Sequence, residues 1–132
     1  MSGTSVSTKT VLVVEDDRFL RRACEAGLQQ LGLTVLRAND GEEGLRLARQ
    51  SRPDLVLLDL LMPRLSGLEV LRALKADPAT RDVPVLILSN SSREQDVAEV
   101  KRLGAVGYFV KANLSLKELG DRVIALLEGE RS

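Results

Sequence analysis

Four short apolar runs of this chain each end at a polar residue of a type that can do chemistry. The residues are Glu15 and Asp16 after the first run, Asp59 after the second, Ser89 after the third and Lys111 after the fourth. If the runs are parallel strands, their carboxyl ends lie at one edge of a sheet and these side chains meet there. Carboxylates beside a hydroxyl and an ammonium group form a site suited to a cation and a phosphoryl group.

Three carboxylates in one place repel one another. At ~4 Å and an effective dielectric constant of ~20, each close pair costs about 4 kcal/mol before screening. Such a cluster needs protonation or a bound cation, and a few hard oxygen ligands suit Mg²⁺. Each residue alone also has a simpler interpretation, because acids favour helix starts, serine favours turns and lysine is commonly on the surface. Their joint occurrence at the ends of four runs favours the functional interpretation.

Composition limits the other classes of function. The chain has 132 residues, 44% of them apolar and 29% charged, and its net charge is zero. This profile is typical of one globular domain, and we expect no direct binding to nucleic acid or to a membrane. With Cys24 as the single cysteine and no signal-peptide pattern, we expect a cytoplasmic location. Histidine is absent, which excludes histidine catalysis and a histidine phosphodonor within this chain.

Strand and helix patterns alternate along the sequence. Continuous apolar, β-branched runs predict strands at residues 11–14, 34–36, 55–58, 85–88 and 107–110. Apolar residues spaced three or four apart predict a helix after each strand. Five such units predict an α/β fold, a three-layer, doubly wound parallel sheet with helices on both faces. We predict one domain over residues 10–128, a disordered tail over 1–9 and a frayed end over 129–132.

Helix boundaries and buried helix faces follow from the same patterns. Candidate N-caps for the second, third and fifth helices are Asp40, Ser66 and Ser115. The fourth helix is expected to begin at Ser92 or Arg93. The first helix is expected to turn Phe19 and Leu31 inward, and the last helix Leu116.

The sequence resembles the receiver domain of two-component response regulators, which has a flavodoxin-like fold shared with chemotaxis regulators. The resemblance covers roughly residues 10–128. It is carried by VVEDD at residues 13–17, DLVLLDLLMP at 54–63, Gly67, PVLILS at 84–89 and GAVGYFVK at 104–111. The resemblance implies a five-stranded sheet in the order 2-1-3-4-5, with the site at the carboxyl edge of the strands.

The resemblance also implies a role for each site residue. Asp59 would accept a phosphoryl group from a phosphohistidine on a sensor histidine kinase or a histidine phosphotransfer protein. The implied Mg²⁺ ligands are Glu15, Asp16, Asp59 and the backbone carbonyl of Leu61. Ser89 and Lys111 would contact the phosphoryl oxygens. Ser89 and Tyr108 would then switch and alter the face of the fourth helix, fifth strand and fifth helix, where an unknown output partner binds.

Three residues depart from the family pattern. The family lysine is usually followed by proline, often through a cis peptide bond, whereas Ala112 follows Lys111 here. Because a cis bond without proline costs ~2.5–4 kcal/mol, we predict a trans bond and a rearranged loop through Asn113. Asn90 stands where the family prefers a small residue, and it can narrow access to the acceptor. Leu61 gives no polar help to an incoming water, so we predict slow loss of the phosphoryl group.

Other classes of function stay open. A pseudo-receiver, an interaction module of the same fold that does not switch by phosphorylation, is favoured slightly by Asn90 and Ala112. A phosphatase with an aspartyl nucleophile needs a second carboxylate two residues after Asp59, where Leu61 stands. A flavin-binding protein needs a phosphate-binding loop after the first strand, where acids stand. We therefore predict a bacterial signalling domain rather than an enzyme, acting as a monomer or a phosphorylation-dependent homodimer.

Overall fold

Five parallel strands form one sheet. The computed structural model describes residues 9–90 and 94–129. The strands are β1 (Thr10–Val14), β2 (Thr34–Ala38), β3 (Leu55–Asp59), β4 (Val85–Ser89) and β5 (Gly107–Val110). The helices are α1 (Arg18–Gln30), α2 (Gly41–Ser51), α3 (Gly67–Ala76), α4 (Glu94–Arg102) and α5 (Leu116–Leu127), and a 3₁₀ turn spans Lys111–Asn113. The order in the sheet, β2-β1-β3-β4-β5, confirms the prediction.

Helices cover both faces of the sheet. α1 and α5 pack on one face, and the residues through which they do so include Cys24, Leu28, Leu119 and Val123. α2, α3 and α4 pack on the other face, through residues that include Ala48, Leu71 and Val100. Because both faces are covered, β3 and β4 are buried along their whole length, which explains their continuous apolar sequence. Within the described ranges, none of these helices has the length and apolar character needed to cross a membrane.

The predicted caps are confirmed. Asp40, Ser66 and Ser115 each accept a hydrogen bond from a backbone N–H in the first turn of α2, α3 and α5. β2 extends beyond its predicted end to Ala38, because Ala38 still pairs with Val14 of β1. The predicted start of α4 at Ser92 or Arg93 lies outside the described residues, as do residues 1–8 and 130–132 of the predicted tails. The domain boundaries therefore stay predictions.

The predicted inward position of Phe19 is wrong. Its side chain is 86% exposed, because the inner stripe of α1 passes through Leu20 and Cys24, four residues apart. Phe19 precedes Leu20 by one residue and therefore points about 100° away around the helix. Leu31 and Leu116, also expected to face inward, are 43% and 44% exposed at the ends of their helices.

The start of α3 lies directly against the backbone of the strand that carries Asp59. The Gly67 N–H donates to the Leu60 carbonyl oxygen at 2.9 Å. A Cβ atom at Gly67 would collide with the Asp59 carbonyl oxygen and would lie 2.6 Å from Leu60 Cα. This close approach requires glycine, and it fixes the β3–α3 loop beside the carboxyl edge of the sheet.

We expect Gly67→Ala to lower the free energy of unfolding by ~3 kcal/mol, because the added methyl group meets rigid backbone. Gly27→Ala is the matched control, since Gly27 lies within α1 and an added Cβ has nothing within 4 Å. That change should stabilise the protein by about 0.5–1 kcal/mol. Urea unfolding measures both, and equal stability of the two variants would show that α3 moves away from β3 without cost.

Candidate functional site

Two carboxylates are buried side by side at the carboxyl edge of the sheet. Asp59 is the last residue of β3 and is 1% exposed, and Glu15 directly follows β1 and is fully buried. β1 and β3 are neighbours, which places the two acids next to each other. The Glu15 N–H continues the pairing with β2 by donating to the Ala38 carbonyl oxygen at 3.1 Å. Interior strands therefore fix the backbone of both acids.

A third carboxylate, Asp16, joins this pair from the solvent side. One carboxylate oxygen from each of Glu15, Asp16 and Asp59 lies within 4.8 Å of the other two. Asp16 is exposed, so the cluster opens to water on that side. We call these three residues the acid cluster. Oxygen atoms with this spacing can converge on one hard cation.

Lys111, directly after β5, contributes the positive charge. Its Nζ lies 2.9 Å from Glu15 Oε1 and 3.2 Å from Asp59 Oδ2, and it donates a hydrogen bond to Glu15 Oε2 at 3.1 Å. The contacts to Glu15 Oε1 and Asp59 Oδ2 are not aligned as hydrogen bonds, and both buried oxygens have no hydrogen-bond donor among the described residues. Both oxygens face the Lys111 ammonium group as ion pairs, and carboxylate oxygens are ligands that small divalent cations prefer, so the acid cluster fits such a cation.

The three acids of the acid cluster outnumber the single ammonium group of Lys111, which contacts two of them. Burial raises the pKa of the Asp59 carboxyl to about 8, and the negative charge of Glu15 adds to the increase while Lys111 opposes it. Burial acts against the charge of Lys111, but its hydrogen bond to Glu15 and the charge of Asp59 raise its pKa. Without a further cation, burial and the charge of Glu15 favour the protonated form of Asp59, and a bound cation would favour its ionised form.

The structure places Ser89 and Asn90 at this edge, and Tyr108 within β5. Ser89 ends β4, the strand next to β3, and is fully buried. Asn90 follows it and is exposed. Tyr108 of β5 is half-buried and packs against the core on the α2, α3 and α4 face. The roles predicted for these three residues stay predictions.

The two loops that flank the acid cluster differ in how they are held. The bond between Lys111 and Ala112 is trans, as predicted, and the loop through Asn113 forms one 3₁₀ turn. On the other side, the Leu61 N–H donates to Asp59 Oδ1 at 3.2 Å, while the Leu61 side chain is 60% exposed. The Leu61 carbonyl stays a predicted metal ligand.

Asp17 is a contributor that the sequence analysis missed. Its side chain caps α1 by accepting hydrogen bonds from the Phe19 and Leu20 N–H groups at 2.9 and 3.2 Å. Its own N–H donates to Glu15 Oε2 at 2.9 Å. An aspartate directly before a helix is a cap pattern that could have revealed the first role. The second role depends on the position of Glu15 and has no sequence signature.

Comparison with known sequences matches this chain to a family. The model of the response regulator receiver domain matches residues 11–124. The transcriptional regulatory protein PrrA of Mycobacterium leprae (strain TN) is 44% identical over 124 residues, which are 94% of this chain and 52% of PrrA. The chain therefore spans about half the length of this curated relative.

Solved structures are similar over nearly the whole chain. The receiver domain of the Francisella response regulator 1452 has a TM-score of 0.85 at 29% identity, covering 92% of this chain and 98% of that one. The Mn²⁺-bound form of response regulator Rcp1 has a TM-score of 0.83 at 27% identity, covering 93% of this chain and 97% of that one. These likenesses confirm the predicted flavodoxin-like receiver fold.

The raised pKa of Asp59 predicts that stability depends on pH in metal-free solution. The pKa of this carboxyl is about 8 in the folded protein and near its ordinary value of 3.8 in the unfolded chain. Between these values the folded state binds more protons, so stability falls as the pH rises. Between pH 5.5 and 8 we expect the free energy of unfolding of the wild type to fall by on the order of 1–3 kcal/mol because Asp59 ionises. Asp59→Asn should not show this decrease.

Urea unfolding in EDTA at both pH values measures this effect. Asp121→Asn is the control, because Asp121 is an exposed acid of α5. If the wild type and Asp59→Asn change in parallel between the two pH values, then Asp59 is not the group that titrates.

Proposed function

The chain belongs to the response regulator receiver domain family, and from this premise we propose that it is a phosphoacceptor signalling domain with Asp59 as the acceptor. The observation that carries the proposal is the position of Asp59 itself. Its carboxylate is buried at the end of an interior strand, within the acid cluster and 3.2 Å from Lys111 Nζ. Membership of the family implies a kinase partner and an output partner.

In the proposed reaction, an Asp59 carboxylate oxygen attacks the phosphorus of a phosphohistidine on a sensor histidine kinase or a histidine phosphotransfer protein. The O–P bond forms as the N–P bond breaks, the imidazole leaves with the electron pair, and the product is an acyl phosphate. Lys111 already contacts this carboxylate and would balance charge on the phosphoryl oxygens. The Ser89 hydroxyl, at the end of the neighbouring strand, would donate to one of those oxygens.

Mg²⁺ is the proposed cofactor. The carboxylates of the acid cluster and the backbone carbonyl of Leu61 would hold it. When bound, Mg²⁺ supplies positive charge that offsets the acid cluster and the phosphoryl oxygens. Support comes from the buried oxygens Glu15 Oε1 and Asp59 Oδ2, which lack hydrogen-bond donors within the described ranges. The similar protein Rcp1 has been solved with Mn²⁺, which prefers the same oxygen ligands.

Exposed apolar side chains support docking of a protein donor at this edge. Phe19, Leu61 and Leu116 are 86%, 60% and 44% exposed. They lie in the first turn of α1, in the β3–α3 loop and at the start of α5, each shortly after the carboxyl end of a strand. Burial of such surface against a partner yields roughly 25 cal/mol per Å². These residues would form an apolar rim that receives the donor.

The face of α4, β5 and α5 is the proposed output surface. A cavity of 530 Å³ lies there, lined by residues that include Val97, Tyr108, Val110 and Arg122. Tyr108 contacts both this cavity and the core, so a change in its rotamer alters the surface. Phosphorylation adds about −1.5 to −2 charges, and Ser89 would move toward the new group. An output partner, or a second copy of the chain, would bind the altered face.

A pseudo-receiver is the second candidate function. Asn90 and Ala112 favour it, since both are exposed beside the site and depart from the family pattern. The acid cluster and Lys111 oppose it, because an interaction module has no need for buried, poorly balanced charges.

Slow loss of the phosphoryl group, attributed to Leu61, and a cytoplasmic location also stay predictions.

Incubation with acetyl phosphate and Mg²⁺ tests the proposed function. Intact-mass spectrometry should show the gain of one phosphoryl group by the wild type and by the surface control Asp121→Asn. The gain should be lost in Asp59→Asn and in EDTA, because acceptor and cation are then missing. No gain by the wild type, under conditions that modify an established receiver, would favour the pseudo-receiver.

The apolar rim predicts a difference between protein and small-molecule donors. We choose a sensor kinase that phosphorylates the wild type. Phe19→Ala should lower the rate of phosphoryl transfer from this kinase about tenfold, the effect typical of an aromatic anchor. The rate at which acetyl phosphate phosphorylates the variant should be unchanged. Leu31→Ala is the control, because Leu31 is also exposed but lies at the far end of α1. Equal rates of kinase transfer for the two variants would exclude Phe19 from the docking surface.

A further inference from the structure

A side chain outside the acid cluster holds the backbone between two of its members. Arg21, in the first turn of α1, donates from Nη1 to the Glu15 carbonyl oxygen at 3.0 Å. Arg21 is partly buried, and its Nε is buried with no hydrogen-bond acceptor in the part of the chain that the structure describes. An unpaired buried donor on a charged group costs stability. The partly buried position of the guanidinium is therefore not explained by a gain in stability alone.

The carbonyl that Arg21 holds belongs to the peptide unit joining Glu15 to Asp16. The orientation of that unit fixes ψ of Glu15 and φ of Asp16, and so the direction in which the Asp16 carboxylate leaves the backbone. The Glu15 carboxylate has its own hydrogen bonds, from Lys111 Nζ and from the Asp17 N–H. Asp16 is exposed, so the position of its carboxylate depends mainly on its backbone.

We propose that Arg21 is a positioning residue for the cation site. Its bond to the Glu15 carbonyl holds Asp16 where its carboxylate joins those of Glu15 and Asp59 around one divalent cation. This inference rests on the cation site of the proposed function. Arg21 does not contact the cation, and it acts through the peptide unit that links the two acids.

The charge of Arg21 weakens cation binding, whereas its positioning effect strengthens cation binding. A guanidinium close to the acid cluster repels a divalent cation. Removing the charge alone would therefore strengthen Mg²⁺ binding, whereas releasing the peptide unit would weaken it. The sign of the change separates the two effects.

Calorimetric Mg²⁺ titrations of the full chain at fixed ionic strength test this proposal. Arg22→Met is the matched control, because Arg22 is the next residue of α1, is exposed and carries the same charge. We expect Arg21→Met to bind Mg²⁺ roughly tenfold more weakly, as expected when about one backbone residue is released. Arg21→Lys keeps a charged donor and should stay within about threefold of the wild type. Arg22→Met should bind as tightly as the wild type or slightly more tightly.

Each outcome decides between the inference and its premise. Mg²⁺ binding by Arg21→Met that is unchanged or tighter overturns the inference and leaves the cation site intact, even if the variant is less stable in urea. A wild type that binds no Mg²⁺ contradicts the cation site and the inference with it. If Arg21→Met does not fold, Arg21→Gln replaces it with the same expectation, because its shorter side chain does not reach the Glu15 carbonyl.

Discussion

Burial of the Glu15 and Asp59 carboxylates beside one ammonium group sets the requirements that the rest of this structure meets. Glu15 directly follows one interior strand and Asp59 ends another, and both are almost completely removed from solvent. Their burial and mutual repulsion raise the pKa of Asp59 to about 8, although Lys111 contacts both. Buried charges that are incompletely paired cost stability. The same imbalance favours ligands that add positive charge, and binding to the folded state then returns part of the lost stability. The divalent cation proposed for this site would supply such charge.

The surrounding elements hold the acids in position but do not neutralise their charge. Gly67 lets the start of α3 lie directly on the backbone of Asp59. Asp17 starts α1 and donates its N–H to the Glu15 carboxylate. Arg21 holds the peptide unit that leads to Asp16. The parallel sheet brings the acids together, and local hydrogen bonds then orient them, so the site depends on both levels of structure.

The fold, and the meeting of the three acids and Lys111 at one edge of the sheet, could be predicted because they depend on strong local patterns. Continuous apolar runs marked the strands, and Asp40, Ser66 and Ser115 marked three helix starts. Periodicity failed for Phe19, because a one-residue offset from the buried stripe moves a side chain from the core to solvent. The contacts of Asp17 and Arg21 with Glu15 could not be predicted, since they depend on how α1 packs. The trans bond at Ala112 was predictable from the intrinsic cost of the cis form.

The pKa of Asp59 tests this account most directly. The ¹³Cγ chemical shift of Asp59, assigned by comparison with Asp59→Asn, can be followed against pH in EDTA and in saturating Mg²⁺. We expect an apparent pKa near 8 in EDTA, and a value well below neutrality with Mg²⁺, because the cation favours the ionised carboxylate. An apparent pKa near 4 in EDTA, or one that Mg²⁺ does not lower, would contradict the view that unbalanced buried charge prepares this site for its ligands.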